Sequence, residues 1–568
     1  MNLFRLLASG SALAATLTAS SALAQSGGGW QLVQHQQSAF ANFDLGASVA
    51  CIGDINGDQI PDTLQGSPGS NSSGMTANGK VQIRSGADGA QIDRVLGLAT
   101  GDRLGASVAN AGDVTGDGVD DFLCGAPFND AGASDGGAVY LYNGATRALV
   151  RTWLGADADG HFGATVHGGA DVDGDSIPDV IVGAPDAPAN GFTAAGRVFV
   201  YSGATGALIR SHDGAAQDDL SGTAVLLLGD VNGDQRSEYV IGAPGSDFGP
   251  GLRAGAVECF DGATGASLWS RGGGTDACEF GAALARLADR NGDGADEVLV
   301  GAPGASGPFG VVYGAARIFF GDTGEFDRQF VPNDPDTRYG AAVAGAGDVD
   351  LDGLEDLLVG APFSDGGTVV DCGTLWFIAA GSGYQNRVAD GVGDNAHMGA
   401  AVACAGDLDG DRRGAIMAGS PGFKAGSLAA AGAVDVFEID PWLVLDVNEI
   451  SAAAGGMIHF ELDFPSSFNG DAYELFVSGG TGPTIMRSGL RVPLTVDYIL
   501  RRMHNLPPAA WTGHTGVLDA DGDATSMLPF APGFINALAG RTLWFAAVTF
   551  NGNAPAAASM PSPVMVLP

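Results

Sequence analysis

Lysine is almost missing from this chain: among 568 residues it stands only at Lys80 and Lys424, and all charged types together make up 16%. With 26 basic against 65 acidic side chains, the formal net charge is −39. Such a balance repels nucleic-acid phosphates and anionic membrane surfaces, and it excludes a nucleic-acid-binding role. The 8 histidines show no clustered spacing; His161 stands beside a structural anchor and His167 on an inner strand, so neither a histidine-ligated metal nor a Ser/His/Asp arrangement is suggested. Beyond the N-terminus no apolar run reaches the ~20 residues that a membrane-spanning helix needs. The acid is not gathered in one tail either; it recurs in short clusters, and a hydrophobic content of 45% is enough for a core.

What the chain has in excess is glycine, 92 residues, with 26 prolines, a composition of turns. Residues 1–24 read as a cleaved signal peptide: Arg5, then apolar and small residues from Leu6 to Leu17, then Ala22 and Ala24 before a cut that leaves Gln25. Because Gln25 is not a cysteine, no lipid anchor is indicated, and the expected location is secreted, periplasmic or at the cell surface.

An acidic loop starts at Asp54, Asp113, Asp171, Asp230, Asp289, Asp348 and Asp407, at intervals of 59, 58, 59, 59, 59 and 59. A glycine precedes each anchor by eight residues (Gly46, Gly105, Gly163, Gly222, Gly281, Gly340, Gly399), and a proline follows by fourteen (Pro68, Pro127, Pro185, Pro244, Pro303, Pro362, Pro421). Each unit reads as four short strands, in the second copy Ala106–Ala111, Phe122–Ala126, Gly137–Tyr142 and Ala148–Leu154. Gly125 and Ala126 allow a neighbouring sheet to approach, and Pro127 ends pairing because it has no N–H. One such sheet cannot bury both of its apolar faces, so seven must stack around an axis as a β-propeller over residues 25–440. The seventh unit stops after its third strand, Val434–Ile439, while a lone strand-like stretch, Trp30–Gln37, precedes the first anchor. That stretch can supply the missing fourth strand and close the ring.

The aromatic-glycine and glycine-alanine-proline pairs, Phe162-Gly163 with Gly183-Ala184-Pro185 and Phe280-Gly281 with Gly301-Ala302-Pro303, resemble FG-GAP repeats such as those of the integrin alpha-subunit propeller. The resemblance covers roughly residues 30–440 and is specific to fold and metal rather than to ligand. Leu45, Leu104, Ser221, Tyr339 and Met398 replace the phenylalanine, and Ser67 and Ser420 the alanine.

In the third copy Asp171, Asp173, Asp175 and Asp179 stand at loop positions one, three, five and nine, with Gly174 at the tight turn and the Ile177 carbonyl at position seven. Alternate residues of a curling loop can aim oxygens inward, as a hard cation with six to eight oxygen ligands at ~2.3–2.6 Å requires, so the expected ion is Ca2+. A strand rather than a helix follows, which separates these loops from an EF-hand. The other full sets are Asp54, Asn56, Asp58, Ile60 and Asp62; Asp113, Thr115, Asp117, Val119 and Asp121; Asp230, Asn232, Asp234, Arg236 and Glu238; Asp289, Asn291, Asp293, Ala295 and Glu297; and Asp348, Asp350, Asp352, Leu354 and Asp356. Six calcium sites are expected. The seventh loop keeps Asp407, Asp409 and Asp411 but has Ala415 at position nine, with Arg412 and Arg413 beside it as competing cations, so it should bind weakly or not at all. A further run, Asp519, Asp521 and Asp523, lacks the flanking anchors and reads as a hairpin turn.

The 6 cysteines of an exported chain raise the question of disulfides. Cys51 and Cys404 occupy equivalent places in their repeats and need not face one another, Cys124 takes a core position, and Cys259 with Cys278 is the favoured pair. After Asp440 the period ends. Apolar stretches at Leu443–Val447, Met457–Phe464, Tyr473–Val477, Leu543–Phe550 and Val564–Leu567 suggest a β-sandwich over residues 441–568.

Fold does not decide function. By analogy with the repeat family the expected role is a secreted calcium-binding module for adhesion to, or binding of, a protein or glycan partner. Related propellers also scaffold polysaccharide lyases and lipid hydrolases, and a purely structural surface component is a third possibility; a chain with two lysines and scattered histidines offers little for lyase chemistry. The partner is expected on the face opposite the metal loops, where the connections after each proline carry Phe128, Phe192, Phe248, Phe309, Phe363 and Phe423, interleaved with Asn129, Asp130, Asp247 and Asp365.

Overall fold

The computed structural model describes residues 30–439 apart from 250, 308–309, 333, 351–352, 382 and 411; beyond 439 it describes the strands given below and Leu518. The segment read as a signal peptide lies outside the described residues. Seven four-stranded antiparallel sheets form a seven-bladed β-propeller. In the second blade the strands are Ser107–Gly112, Asp121–Ala126, Ala138–Tyr142 and Leu149–Leu154, each bound within a residue of the expected one. The first strand of every blade lies innermost, and these strands touch one another in turn until the seventh meets the first. Second strands such as Asp179–Ala184 are buried at every residue, because both faces are covered by neighbouring blades. Outermost strands such as Leu208–Asp213 carry only exposed and half-buried residues, as a strand facing solvent should.

The ring closes as expected. Trp30–Gln37 pairs antiparallel with Ala433–Ile439, Trp30 opposite Ile439 and Gln37 opposite Ala433, and becomes the outer strand of the seventh blade. Trp30 is buried and packs 5.2 Å from the Phe377 ring of the sixth blade. His35 Nδ1 meets Asp435 Oδ1 across the same ladder at 2.5 Å, and this bond raises the His35 pKa above its ordinary value. A raised histidine stabilises the fold below its unfolded pKa and ceases to as pH rises through the folded one. His35→Asn is therefore expected to lower the melting temperature at pH 5.5 and to change it much less at pH 8.5, a difference readable by calorimetry at the two pH values.

Among the described residues of the propeller the core is divided among the blade junctions: seven apolar clusters each join two adjacent blades, including the seventh to the first through Leu45, Met417 and Val436. Two glycines per repeat explain how the blades come so close. The anchor glycine lies at φ between +81° and +89° in all seven copies, a region closed to most other residues. The glycine before the alanine and proline abuts the next blade's backbone: a methyl group on Gly183 would lie 2.0 Å from the Gly222 carbonyl oxygen, and one on Gly419 the same distance from that of Gly46. The residue before the anchor forms a parallel bridge to the preceding blade at every junction, from Gly79 with Leu104 to Gly432 with Leu45. Leucine, serine, tyrosine and methionine can replace phenylalanine there because the bridge is made by the backbone.

The scarce cations serve these junctions. Arg151 donates to the carbonyls of Gly203, Ala204 and Thr205 on the next blade, and Arg210 to those of Gly262, Ala263 and Thr264. All six cysteines are free thiols, which corrects the expected Cys259–Cys278 pair. Cys259 lies near the end of the strand Ala256–Phe260, whereas Cys278 packs beside Gly273, which bonds back to the start of that strand at Gly255. About four residues at ~3.3 Å each separate the two levels, too far for an S–S bond.

Each of the five apolar stretches of the C-terminal region contains a strand among the described residues. Glu449–Ser451, Ser562–Leu567, Thr542–Asn551, Ala472–Ser478 and Thr515–Val517 form one sheet in that order, with Ala554–Ala558 added to Thr542–Asn551. Leu443–Leu445, Gly456–Asp463 and Asp523–Phe530 form a second, and Thr481–Ile485 with Arg491–Leu494 a two-stranded third. The turn expected at Asp519 to Asp523 does not close a hairpin: Thr515–Val517 and Asp523–Phe530 belong to different sheets. Asp519 and Asp521 themselves lie outside the described residues.

Candidate metal centres

The acidic loops join first to second strands and therefore all lie on one face of the disc. Their shape follows from four positions. At position one the carboxylate turns back and accepts backbone N–H groups: Asp171 from Gly174 at 2.6 Å, Asp175 at 3.2 Å and Ser176 at 2.7 Å, and Asp54 and Asp230 in the same way. Position two is an apolar residue buried in the blade junction, as Ile55, Val114, Val172, Val231 and Val349 are. Position four is left-handed in six of the loops, φ +83° at Gly174, which explains the glycine they carry there; Leu351 of the sixth loop lies outside the described residues. Position nine is fully or almost fully buried in all six complete loops (Asp62, Asp121, Asp179, Glu238, Glu297 and Asp356).

The buried carboxylate ties the loop to the rest of its blade. Asp179 accepts Val172 N–H at 2.8 Å and Gly203 N–H at 2.9 Å, and Asp356 accepts Val349 N–H at 2.9 Å and Ala380 N–H at 2.8 Å. Burial pushes Asp62 and Asp179 up to about 6 and Glu238 and Glu297 up to about 7. A cation bound nearby would favour the charged form of such a group.

Among the described residues, three groups of acids come within 4.8 Å of one another: Asp171, Asp173 and Asp179; Asp348, Asp350 and Asp356; and Asp234, Glu238 and Asp261. Asp175 is exposed and outside the first of these; Asp352 lies outside the described residues. Where position three is asparagine, its amide donates within the loop, Asn56 to Asp62 at 3.0 Å and Asn291 to Asp293 at 2.7 Å. Position seven is engaged through its N–H: Ile60, Val119, Ile177, Arg236 and Ala295 each donate to the position-five carboxylate at 2.8–3.0 Å. The Arg236 guanidinium lies against Gly174 of the neighbouring loop. Carboxylate, amide and carbonyl oxygens concentrated on one curl are donors suited to a hard divalent cation, so the residues present fit calcium.

In the seventh loop Asp407 still accepts Gly410 and Arg412 N–H, at 2.8 and 2.9 Å, but Ala415 is buried where the others carry an acid. Arg413 donates to the Val349 carbonyl of the sixth blade at 2.7 Å. Asp411 lies outside the described residues.

Sequence reasoning missed the residue that follows the third strand: Ser85, Asn143, Ser202 and Asp261 in the first four blades, each opening a Gly-Ala turn whose glycine N–H reaches position nine. The recurrence of this turn 31 or 30 residues after each of the first four anchors was a signal available in the sequence.

A profile for the FG-GAP repeat matches residues 104–142, 162–201 and 339–377, in each case from the residue before the anchor glycine through the metal loop into the third strand. Three of the seven blades therefore carry a recognisable FG-GAP repeat. The chain is 34% identical to integrin alpha-V of Gallus gallus over 156 residues, covering 25% of this chain and 15% of that protein. It is 30% identical over 242 residues to integrin alpha-PS2 of Drosophila melanogaster, 38% and 16% of the two chains. Phosphatidylinositol-glycan-specific phospholipase D of Bos taurus is 34% identical over 165 residues, 26% and 19%. These matches span less than a fifth of each relative's length. They support an integrin alpha-like FG-GAP propeller, and most of the relatives are integrin alpha subunits. No helix among the described residues is long and apolar enough to cross a membrane.

Proposed function

We propose that the protein is an extracellular binding module, exported by its N-terminal segment with cleavage near Ala24. Its FG-GAP propeller is held by about six calcium ions, is followed by a C-terminal β-sandwich, and docks a protein or glycan partner on the face opposite the metal loops. The carrying observation is a set of exposed aromatics on that face: Phe192 is 42% exposed, Phe248 41% and Phe363 39%. Aromatics held accessible on a rigid scaffold suit binding anchors. Two others serve the scaffold. Phe128 is half-buried between the Arg103 guanidinium at 4.6 Å and the His161 ring at 4.5 Å, and Phe423 is half-buried beside His35. Phe309 lies outside the described residues. The neighbouring acids shape the loops: Asp130, Asp247 and Asp365 accept the N–H groups of Asp135, Arg253 and Asp371, and Asn129 is buried against Asp102.

A glycan and protein array screened with calcium present supplies the partner. Replacing Phe192, Phe248 and Phe363 together with serine should then abolish capture while the melting temperature stays within a few degrees. Retained capture would place the interaction surface elsewhere.

A further inference from the structure

The residue that closes the third strand reaches into the metal loop, and its chemistry differs sharply between two blades. In the second blade this residue is Asn143. Its Oδ1 accepts both the N–H and the hydroxyl of Thr146 at 2.6 Å, which fixes the amide so that Nδ2 faces the loop. Nδ2 donates to Thr115 Oγ1 at 2.8 Å and to Asp117 Oδ2 at 2.6 Å, loop positions three and five. A hydrogen-bond donor thus occupies the place from which those two oxygens would face an ion. Asp261 stands at the same point of the fourth blade and is held in the same way, its Oδ1 accepting the Thr264 N–H at 2.6 Å and hydroxyl at 2.8 Å. Its other oxygen faces the loop, 3.3 Å from Asn232 Nδ2 and within 4.8 Å of an Asp234 and a Glu238 oxygen. Where one blade offers an N–H, the other offers a carboxylate.

We infer that this third-strand residue sets each loop's affinity for a divalent cation: Asp261 adds an anionic ligand to the fourth blade, and Asn143 weakens the second blade by filling its site with an amide N–H. The inference rests on the proposed calcium function. Cation affinity in oxygen sites is tuned by the number of charged ligands, and a carboxylate gained or lost is expected to move the dissociation constant by about tenfold. The first blade is the natural reference, because it has Asp54, Asn56, Asp58 and Asp62 in its loop and the neutral Ser85 at the third-strand position.

The test is hydrogen exchange of the full chain, followed by mass spectrometry across a calcium titration, reading peptides over residues 54–62, 113–121 and 230–238 separately. In the unaltered protein the fourth-blade loop should gain protection at the lowest calcium and the second-blade loop at the highest. Asp261→Asn should raise the midpoint of 230–238 about tenfold, and Asn143→Asp should lower that of 113–121 by a similar factor, with 54–62 unmoved in both. Both substitutions keep the oxygen that accepts the threonine pair, and melting in EGTA checks that the fold survives. Calcium-dependent protection with midpoints indifferent to both substitutions would overturn the inference and leave the calcium reading standing. Absence of any calcium-dependent protection would overturn both.

Discussion

Stripping divalent cations with EGTA should lower the melting temperature of the propeller by on the order of 10–20 °C relative to ~10 mM calcium. The figure follows from magnitudes. A ligand at ~100 times its dissociation constant adds ~2.7 kcal/mol per site, and extracellular calcium modules hold the ion at ~0.1–1 mM. About six sites then contribute roughly 15 kcal/mol, against an unfolding entropy of ~2.1 cal/mol/K per residue for a ring of about 400 residues. The loops should not contribute equally. Asp179→Ala removes a buried carboxylate that bonds both its own loop and the Gly203 turn, so it should reduce the calcium-dependent part of the shift. Substitution of Asp407, whose loop has Ala415 at position nine, should leave that part unchanged. Calorimetry with and without calcium measures both. A melting temperature indifferent to calcium, or an equal response from the seventh loop, would contradict the assignment.

Removing the strand Trp30–Gln37 should be severely damaging. Without it Ala433–Ile439 becomes an unpaired edge, and the apolar cluster between the sixth and seventh blades loses Trp30. Truncating a buried tryptophan alone costs ~3–5 kcal/mol, and an open edge invites pairing between molecules. The expected outcome for a chain lacking residues 30–37 is loss of cooperative unfolding and concentration-dependent association. A synthetic peptide of residues 30–37 added in trans should restore the monomeric, cooperative form. A shortened chain that melts normally on its own would show that ring closure does not depend on this strand.

The propeller was legible because each of its seven units repeats the same backbone requirements. Gly163 is needed for its left-handed φ and Gly183 for its contact with Gly222, and neither can change without a clash, so the spacing persists where side chains drift. The acidic curl was legible for a similar reason: Asp171 must cap three N–H groups and Gly174 must turn, all within one short stretch of chain. The loop's contacts with the rest of the blade were not. Asn143 and Asp261 lie about thirty positions beyond their anchors, and only the pairing of second with third strands brings them back to the loop.

The sequence by itself determined the number of blades, the closing strand and the positions of the acids, because each of these is a matter of spacing along one chain. Tertiary structure alone decided which acids meet. It gathered Asp171, Asp173 and Asp179 without Asp175, and it brought Arg413 onto the Val349 carbonyl of the neighbouring blade. It also decided which aromatics are free, burying half of Phe128 between Arg103 and His161 while leaving Phe192 exposed. The reason is that burial and the direction of a side chain depend on what the adjacent blade places against it, and that neighbour's matching residues stand a full repeat away.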